Sequence, residues 1–235
     1  MKLKDKVALV TGASSGIGKA VSLLFAGEGA TVILTGRHLN NLKLVENEIK
    51  HNNGKAESFA MDITDREQIN KTIKKIIGKH KKIDILVNNA GIAKWNSIEN
   101  TTYEEFYEHI NINLIGYFNC IKELVPIMIK QKSGSIVNII TSTVKKTKAE
   151  RVAYATSKYG QAGLSNAVHE DLKNKGISVV AVYPGKTDTP IHGLPEDDPR
   201  RKEMLKPEKV AEVVLKAALI PAEKDVKELS INPVK

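Results

Sequence analysis

The feature that most constrains this chain is a strand, a glycine turn and a helix in immediate succession near its start. The apolar run Val7-Ala8-Leu9-Val10 leads into Thr11-Gly12-Ala13-Ser14-Ser15-Gly16-Ile17-Gly18. Behind the turn, Ala20, Val21, Leu24 and Phe25 recur at helical spacing. A second strand-like run, Thr31 to Leu34, then completes the spacing of a βαβ unit. Glycines let backbone N–H groups approach an anion closely, and the new helix points its positive end at the same place. Small polar residues also form turns for purely local reasons, so the turn alone has two readings. The flanking strand and helix favour a pyrophosphate-binding turn over a bare one. The spacing is G-x-x-x-G-x-G rather than G-x-G-x-x-G, which points to one branch of the dinucleotide-binding folds.

Strand-like runs alternate with helix-period segments along the whole chain: 7–10, 31–34, 55–61, 83–87, 134–140, 177–182 and 228–231. That alternation predicts a single Rossmann-type α/β domain over 1–235, a doubly wound parallel sheet of these seven strands with helices on both faces. Right-handed crossovers put the loops after the strands on one edge, where ligands bind. The irregular segments 90–101, 142–151 and 183–207 all follow strands and are the expected walls of a site. Within the last, 186–206 reads as a substrate lid, because prolines punctuate a polar run.

With 41% hydrophobic residues the chain can fill one core. Its longest unbroken apolar stretches are short, and no apolar segment follows Lys2, Lys4 and Lys6 before the first strand, so neither a membrane span nor a secretory leader is expected. Cys120 is the single cysteine, which excludes an internal disulfide and a thiolate metal cluster and suits a reduced, cytoplasmic setting. No metal site is expected. The net charge of +9 comes from lysines spread over nearly every predicted helix, with no aromatic-interleaved patch, so it reads as solvated surface rather than a nucleic-acid footprint.

Several side chains fall where chemistry would need them. After the second strand stand Gly36 and Arg37 with no acid, which suits a ribose 2′-phosphate and predicts NADP(H) over NAD(H). Asp62, after the third strand, is placed for an adenine amino group, with Thr64 or Asp65 as helix cap. Asn88-Asn89-Ala90-Gly91 after the fourth strand can bond neighbouring strands and let a flat group lie close. A long helix is predicted over 102–130, and its Asn113 is either a satisfied core amide or a group facing the ligand edge. Tyr154 and Lys158 sit four apart on a helical segment, so both emerge on one face. An ammonium beside a phenol favours the phenolate, and the expectation is that Lys158 lowers a pKa otherwise about 10.

Taken together, the turn at 11–18, Asn88-Asn89-Ala90-Gly91, Asn113 in Asn-Leu-Ile-Gly, Tyr154-x-x-x-Lys158, and Pro184-Gly185 with Thr189 resemble the short-chain dehydrogenase/reductase family. The likeness is nearest to 3-oxoacyl-carrier-protein reductases and related small carbonyl reductases. It implies that Tyr154 exchanges a proton with the substrate oxygen, while Lys158 bonds the nicotinamide ribose and depresses the Tyr154 pKa. It further implies that Asn113 holds a water leading to Lys158. Gly12, Ala13, Ser14, Ser15, Gly16, Ile17 and Gly18 would wrap the pyrophosphate, with Arg37, Asp62 and Ile63 toward the adenosine. Asn89, Ala90 and Gly91 would lie beside the ribose and nicotinamide, and Pro184, Gly185, Thr187 and Thr189 at the carboxamide. Where the family carries a serine on the substrate oxygen, this chain has Thr141, with Ser142 next to it, and either hydroxyl can donate. Homodimers or homotetramers are implied as well, with a small carbonyl or alcohol as substrate. An NAD-linked alcohol dehydrogenase and a non-catalytic NADP-binding regulator are the competing expectations.

Overall fold

The computed structural model describes residues 1–233. Seven strands form one parallel sheet in the order β3-β2-β1-β4-β5-β6-β7. They are β1 (Val7–Thr11), β2 (Thr31–Gly36), β3 (Lys55–Ala60), β4 (Ile85–Asn88), β5 (Gly134–Ile139), β6 (Ile177–Pro184) and β7 (Glu228–Ile231). The expected strands are therefore all present, with small shifts at the ends. β4 begins at Ile85 rather than Ile83, and just before it the Asp84 carboxylate accepts the Val7 N–H at 2.8 Å. β6 runs on to Pro184, through the start of the segment expected to be irregular.

Alternation along the buried strands feeds two cores, as a sheet covered on both faces requires. In β1, Ala8 and Val10 face α1 (Gly16–Gly27), α2 (Leu39–His51) and α7 (Pro207–Ala218), packing with Phe25, Leu42 and Val214. Val7 and Leu9 face the other side and join Ile73, Leu124 and Leu172 of α3 (Arg66–His80), α5 (Gly116–Gln131) and α6 (Val152–Leu172). The chain reverses direction across the sheet between β3 and β4, so the carboxyl ends of β1 and β4 diverge into a crevice.

The long helix expected over 102–130 is not regular. Thr102 caps α4 (Tyr103–His109), as its hydroxyl accepts from the Glu105 N–H at 3.1 Å, and a π-helical turn over Ile110–Ile115 then precedes α5. Joined, the stretch Tyr103–Gln131 has 29 residues and a mean hydropathy of 1.3 in its most apolar window, enough by length and composition to cross a membrane. The reading from short apolar runs misses this because isolated polar residues break the runs. In the fold the stretch packs its buried side, Tyr117, Ile121 and Leu124, into the second core.

Candidate active site

A cavity of about 1000 Å³ opens in that crevice, running from Arg37 and Asp62 at one end to Trp95 and His192 at the other. Its floor is the glycine turn. Gly12 has φ of 63°, and a Cβ there would come within 2.8 Å of the Ala90 Cα, so only glycine lets the turns after β1 and β4 approach. A Cβ on Gly18 would lie 2.2 Å from the Gly12 carbonyl oxygen, so this glycine seats α1 beneath the turn. Ser15 begins α1 with no side chain capping the first turn and no acid in it, which leaves open donors at the cavity floor.

Asn89 fastens the two turns: its Nδ2 donates to the carbonyl oxygens of Thr11 at 2.9 Å and Gly12 at 3.0 Å. The Thr11 hydroxyl in return accepts from the N–H groups of Asn89 and Ala90. Asp62 lines the cavity with Oδ1 accepting from the Thr64 N–H and hydroxyl, while Asp65 caps α3 through the Glu67 and Gln68 N–H groups. Arg37 is exposed at the end of β2 and lines the same end.

Of the expected cofactor residues, Gly12, Ser14, Ser15, Gly16, Ile17, Arg37, Asp62, Ile63, Asn89, Ala90, Gly91, Pro184, Gly185, Thr187 and Thr189 line this cavity together with Tyr154 and Lys158. Ala13 and Gly18 do not. Ala13 is fully buried, and its N–H is committed to the Thr35 carbonyl at 3.1 Å.

Asn113 also stays off the cavity wall. Completely buried, it accepts from the Ile92 N–H at 2.8 Å and donates to the Ile92 carbonyl and to Ser157 Oγ, both at 3.0 Å. Its own carbonyl oxygen accepts from the Gln161 side chain. The π turn thus holds the segment after β4 in place through Asn113, and none of these partners is Lys158. A Cβ on Gly91 would come within 3.0 Å of Asn113 Oδ1, which explains the glycine beside it.

Tyr154 and Lys158 meet the cavity from α6, with Lys158 Nζ 5.8 Å from the centre of the Tyr154 ring. Burial governs both. It pushes the Tyr154 hydroxyl above its ordinary range, against the Thr141 hydroxyl and the Arg151 charge, which favour phenolate. It also lowers Lys158 to about 7. Burial thus disfavours the charged form of both groups, and the influences that oppose it on Tyr154 come from Thr141 and Arg151. Thr141 and Ser142 both line the cavity, and Thr141 Oγ1 donates to Thr143 Oγ1 and accepts from the Thr143 N–H, each at 3.3 Å.

Sequence reasoning passed over Arg151. It lies three residues before Tyr154, a helical spacing that could have flagged it, and its guanidinium sits 4.7 Å above the Trp95 ring. Of the other expected walls, Lys146 and Lys148 line the cavity. Lys145 instead pairs with Glu228 at 2.6 Å, and Ile98 points into solvent.

A doubly wound sheet whose crevice carries a tyrosine and a lysine one helical turn apart defines a dinucleotide-dependent oxidoreductase architecture. Comparison with known proteins gives the family. A model described as short chain dehydrogenase matches residues 6–199. The 3-oxoacyl-[acyl-carrier-protein] reductase FabG of Thermotoga maritima is 40% identical over 225 residues, 92% of this chain and 91% of that one. A metagenomic short-chain oxidoreductase solved in complex with NADP superposes with a TM-score of 0.87 at 31% identity, covering 100% of both chains. Levodione reductase gives 0.90 at 25% identity over 97% of this chain and 96% of that one. This chain belongs to the short-chain dehydrogenase/reductase family and is an oxidoreductase that interconverts carbonyl and CH–OH groups.

Proposed function

We propose that this protein is an NADP-dependent carbonyl reductase that also runs in reverse on secondary alcohols, with Tyr154 as the proton donor and acceptor. The observation that carries the reading is the placement of the Tyr154 phenol, beside the Thr141 hydroxyl, in the same cavity as the glycine turn. The open amides at the start of α1 and the close approach that Gly12 permits fit a pyrophosphate, and Arg37 fits a 2′-phosphate. FabG of Thermotoga maritima, by its name, reduces 3-oxoacyl groups, and the metagenomic relative binds NADP, in line with this assignment.

The turn from Gly12 to Ile17, with Arg37, Asp62 and Ile63, would hold the adenosine and phosphates. Asn89 to Gly91 and Pro184, Gly185, Thr187 and Thr189 would hold the nicotinamide end. The chemistry this cofactor supplies when bound is a hydride. Tyr154 then gives its proton to the carbonyl oxygen as negative charge develops there, and Thr141 donates a hydrogen bond to the same oxygen. Ser142 stands as the alternative donor. Lys158 bonds the ribose and offers a proton path behind Tyr154, and Asn113 keeps the 89–92 segment in register rather than touching substrate. The segment 186–206 acts as the lid over the substrate end. Its two ends are tied by pairing of Thr187 with Leu205 and by Arg201 on Asp188 at 2.7 Å.

The half-exposed Ile115 and Phe118 and the exposed Tyr107 on the long helix support a homodimer or homotetramer through that face. The single, buried cysteine supports a cytoplasmic location. The test is NADPH oxidation at 340 nm against ketones, aldehydes and 3-oxoesters, in wild type and in Tyr154→Phe. The substitution is expected to lower activity by at least about a hundredfold; unchanged activity refutes the assignment.

A further inference from the structure

Beyond Tyr154 the cavity carries positive charge that the reading above does not use. The Arg151 guanidinium lies 4.7 Å from the centre of the Trp95 ring, and Trp95 meets the Tyr154 ring edge-on at 4.9 Å. Arg151 Nη1 donates to Thr143 Oγ1 at 3.2 Å. Two neighbours therefore fix this side chain within one indole's breadth of the phenol, and most of its N–H donors remain to be used. His192 stacks on the same indole at 6.3 Å, and burial holds it toward its neutral form, so it closes the wall without adding charge.

Among the described residues no carboxylate pairs with Arg151, nor with Lys146, Lys148 or Lys186 at this end of the cavity. Glu150 is the one acid among the described residues that line it there. A neutral ketone would gain nothing from such an arrangement. A planar guanidinium matches the two oxygens of a carboxylate, and an indole beneath it holds the fork flat without neutralising it. Because Trp95 and Thr143 already restrict the side chain, little further ordering is needed on binding.

We propose that Arg151 is a specificity residue that takes the carboxylate of a short-chain oxo acid, and that this anchoring brings the carbonyl of the same molecule to Tyr154 and Thr141. This rests on the carbonyl reductase reading, and the two can be tested apart. Trp95 is the sole tryptophan, so its fluorescence reports on this wall directly. With NADP+ saturating, no reduction can occur, and titration with 4-oxopentanoate and with its uncharged methyl ester measures binding alone.

The acid is expected to bind at least about tenfold more tightly than the ester, and Arg151→Met is expected to abolish that preference. Arg151→Lys, which keeps the charge and loses the fork, should retain part of it. The wild-type preference should also shrink as sodium chloride rises. Equal binding of acid and ester by the wild type, or a preference that survives Arg151→Met, overturns the proposal. Should Arg151→Met fail to fold, Arg151→Gln takes its place, and a preference that survives Arg151→Gln, or a wild-type preference that does not fall as salt rises, overturns the proposal. Acid binding that persists in a protein unable to reduce any carbonyl would refute the reductase reading while leaving the carboxylate site standing.

Discussion

Replacing Lys158 by methionine should make the protein more stable at neutral pH, and the structure gives the size of the effect. Lys158 is buried, and that burial lowers it from 10.5 to about 7. The unfolded chain therefore binds a proton at this side chain over a pH range where the native protein does not. Stability then rises with pH between these two values, by about 1.4 kcal/mol per unit, and falls as pH drops from 10.5 toward 7. Relative to a side chain that never titrates, Lys158 costs about 4 kcal/mol at pH 7 and about 2 kcal/mol at pH 9, and nothing once both states are neutral. Methionine keeps most of the volume and removes the titration. Guanidinium unfolding of wild type and Lys158→Met at pH 7, 9 and 10.5, at one protein concentration, should show a gain that shrinks along this series. Any difference in packing adds a constant, so the slope is the quantity that matters. A gain that stays flat with pH, or grows with it, would refute the burial argument.

Other substitutions probe the remaining assignments. Thr141→Val should lower kcat/KM for carbonyl reduction by about a hundredfold, whereas Ser142→Ala should stay within about threefold, both read by NADPH oxidation. The reverse ranking would move the substrate hydroxyl to Ser142. Arg37→Asp should cut the ratio of NADPH to NADH efficiency by at least about tenfold, because a carboxylate at the end of β2 repels a 2′-phosphate and accepts from a free 2′-hydroxyl. An unmoved ratio would place phosphate recognition elsewhere.

The sheet was legible because its central strands are short apolar runs bounded by turns, while the edge strands β3 and β7 are mixed in polarity and only partly buried. Val7 to Val10 and Ile177 to Val182 announce themselves. What the pattern lacks is any sign of where a helix widens. The residues from Tyr103 to Gln131 keep helical spacing throughout, yet the turn over Ile110–Ile115 is π-helical, and within it Asn113 bonds Ile92 and Ser157 while its carbonyl oxygen accepts from Gln161. Those partners lie far along the chain, and no local preference encodes them. Arg151 escaped notice for a related reason: its significance comes from Trp95, on a loop after a different strand.

The same distinction settles how the central pair should be understood. Spacing correctly puts Tyr154 and Lys158 on one helical face, but proximity in sequence carries no information about water. Inside the cavity, exclusion of solvent acts on each group separately and disfavours its charged form, raising the phenol and lowering the amine. That outcome suits reduction, because a proton donor must still hold its proton when the carbonyl arrives. Thr141 and the charge of Arg151 oppose the burial of Tyr154. The residue that sequence reasoning passed over is thus the one whose charge reaches the phenol in this arrangement. It follows that the acidity of Tyr154 and the recognition of an anionic substrate are coupled through one side chain: a carboxylate bound to Arg151 would offset its charge and strengthen the hold of Tyr154 on its proton.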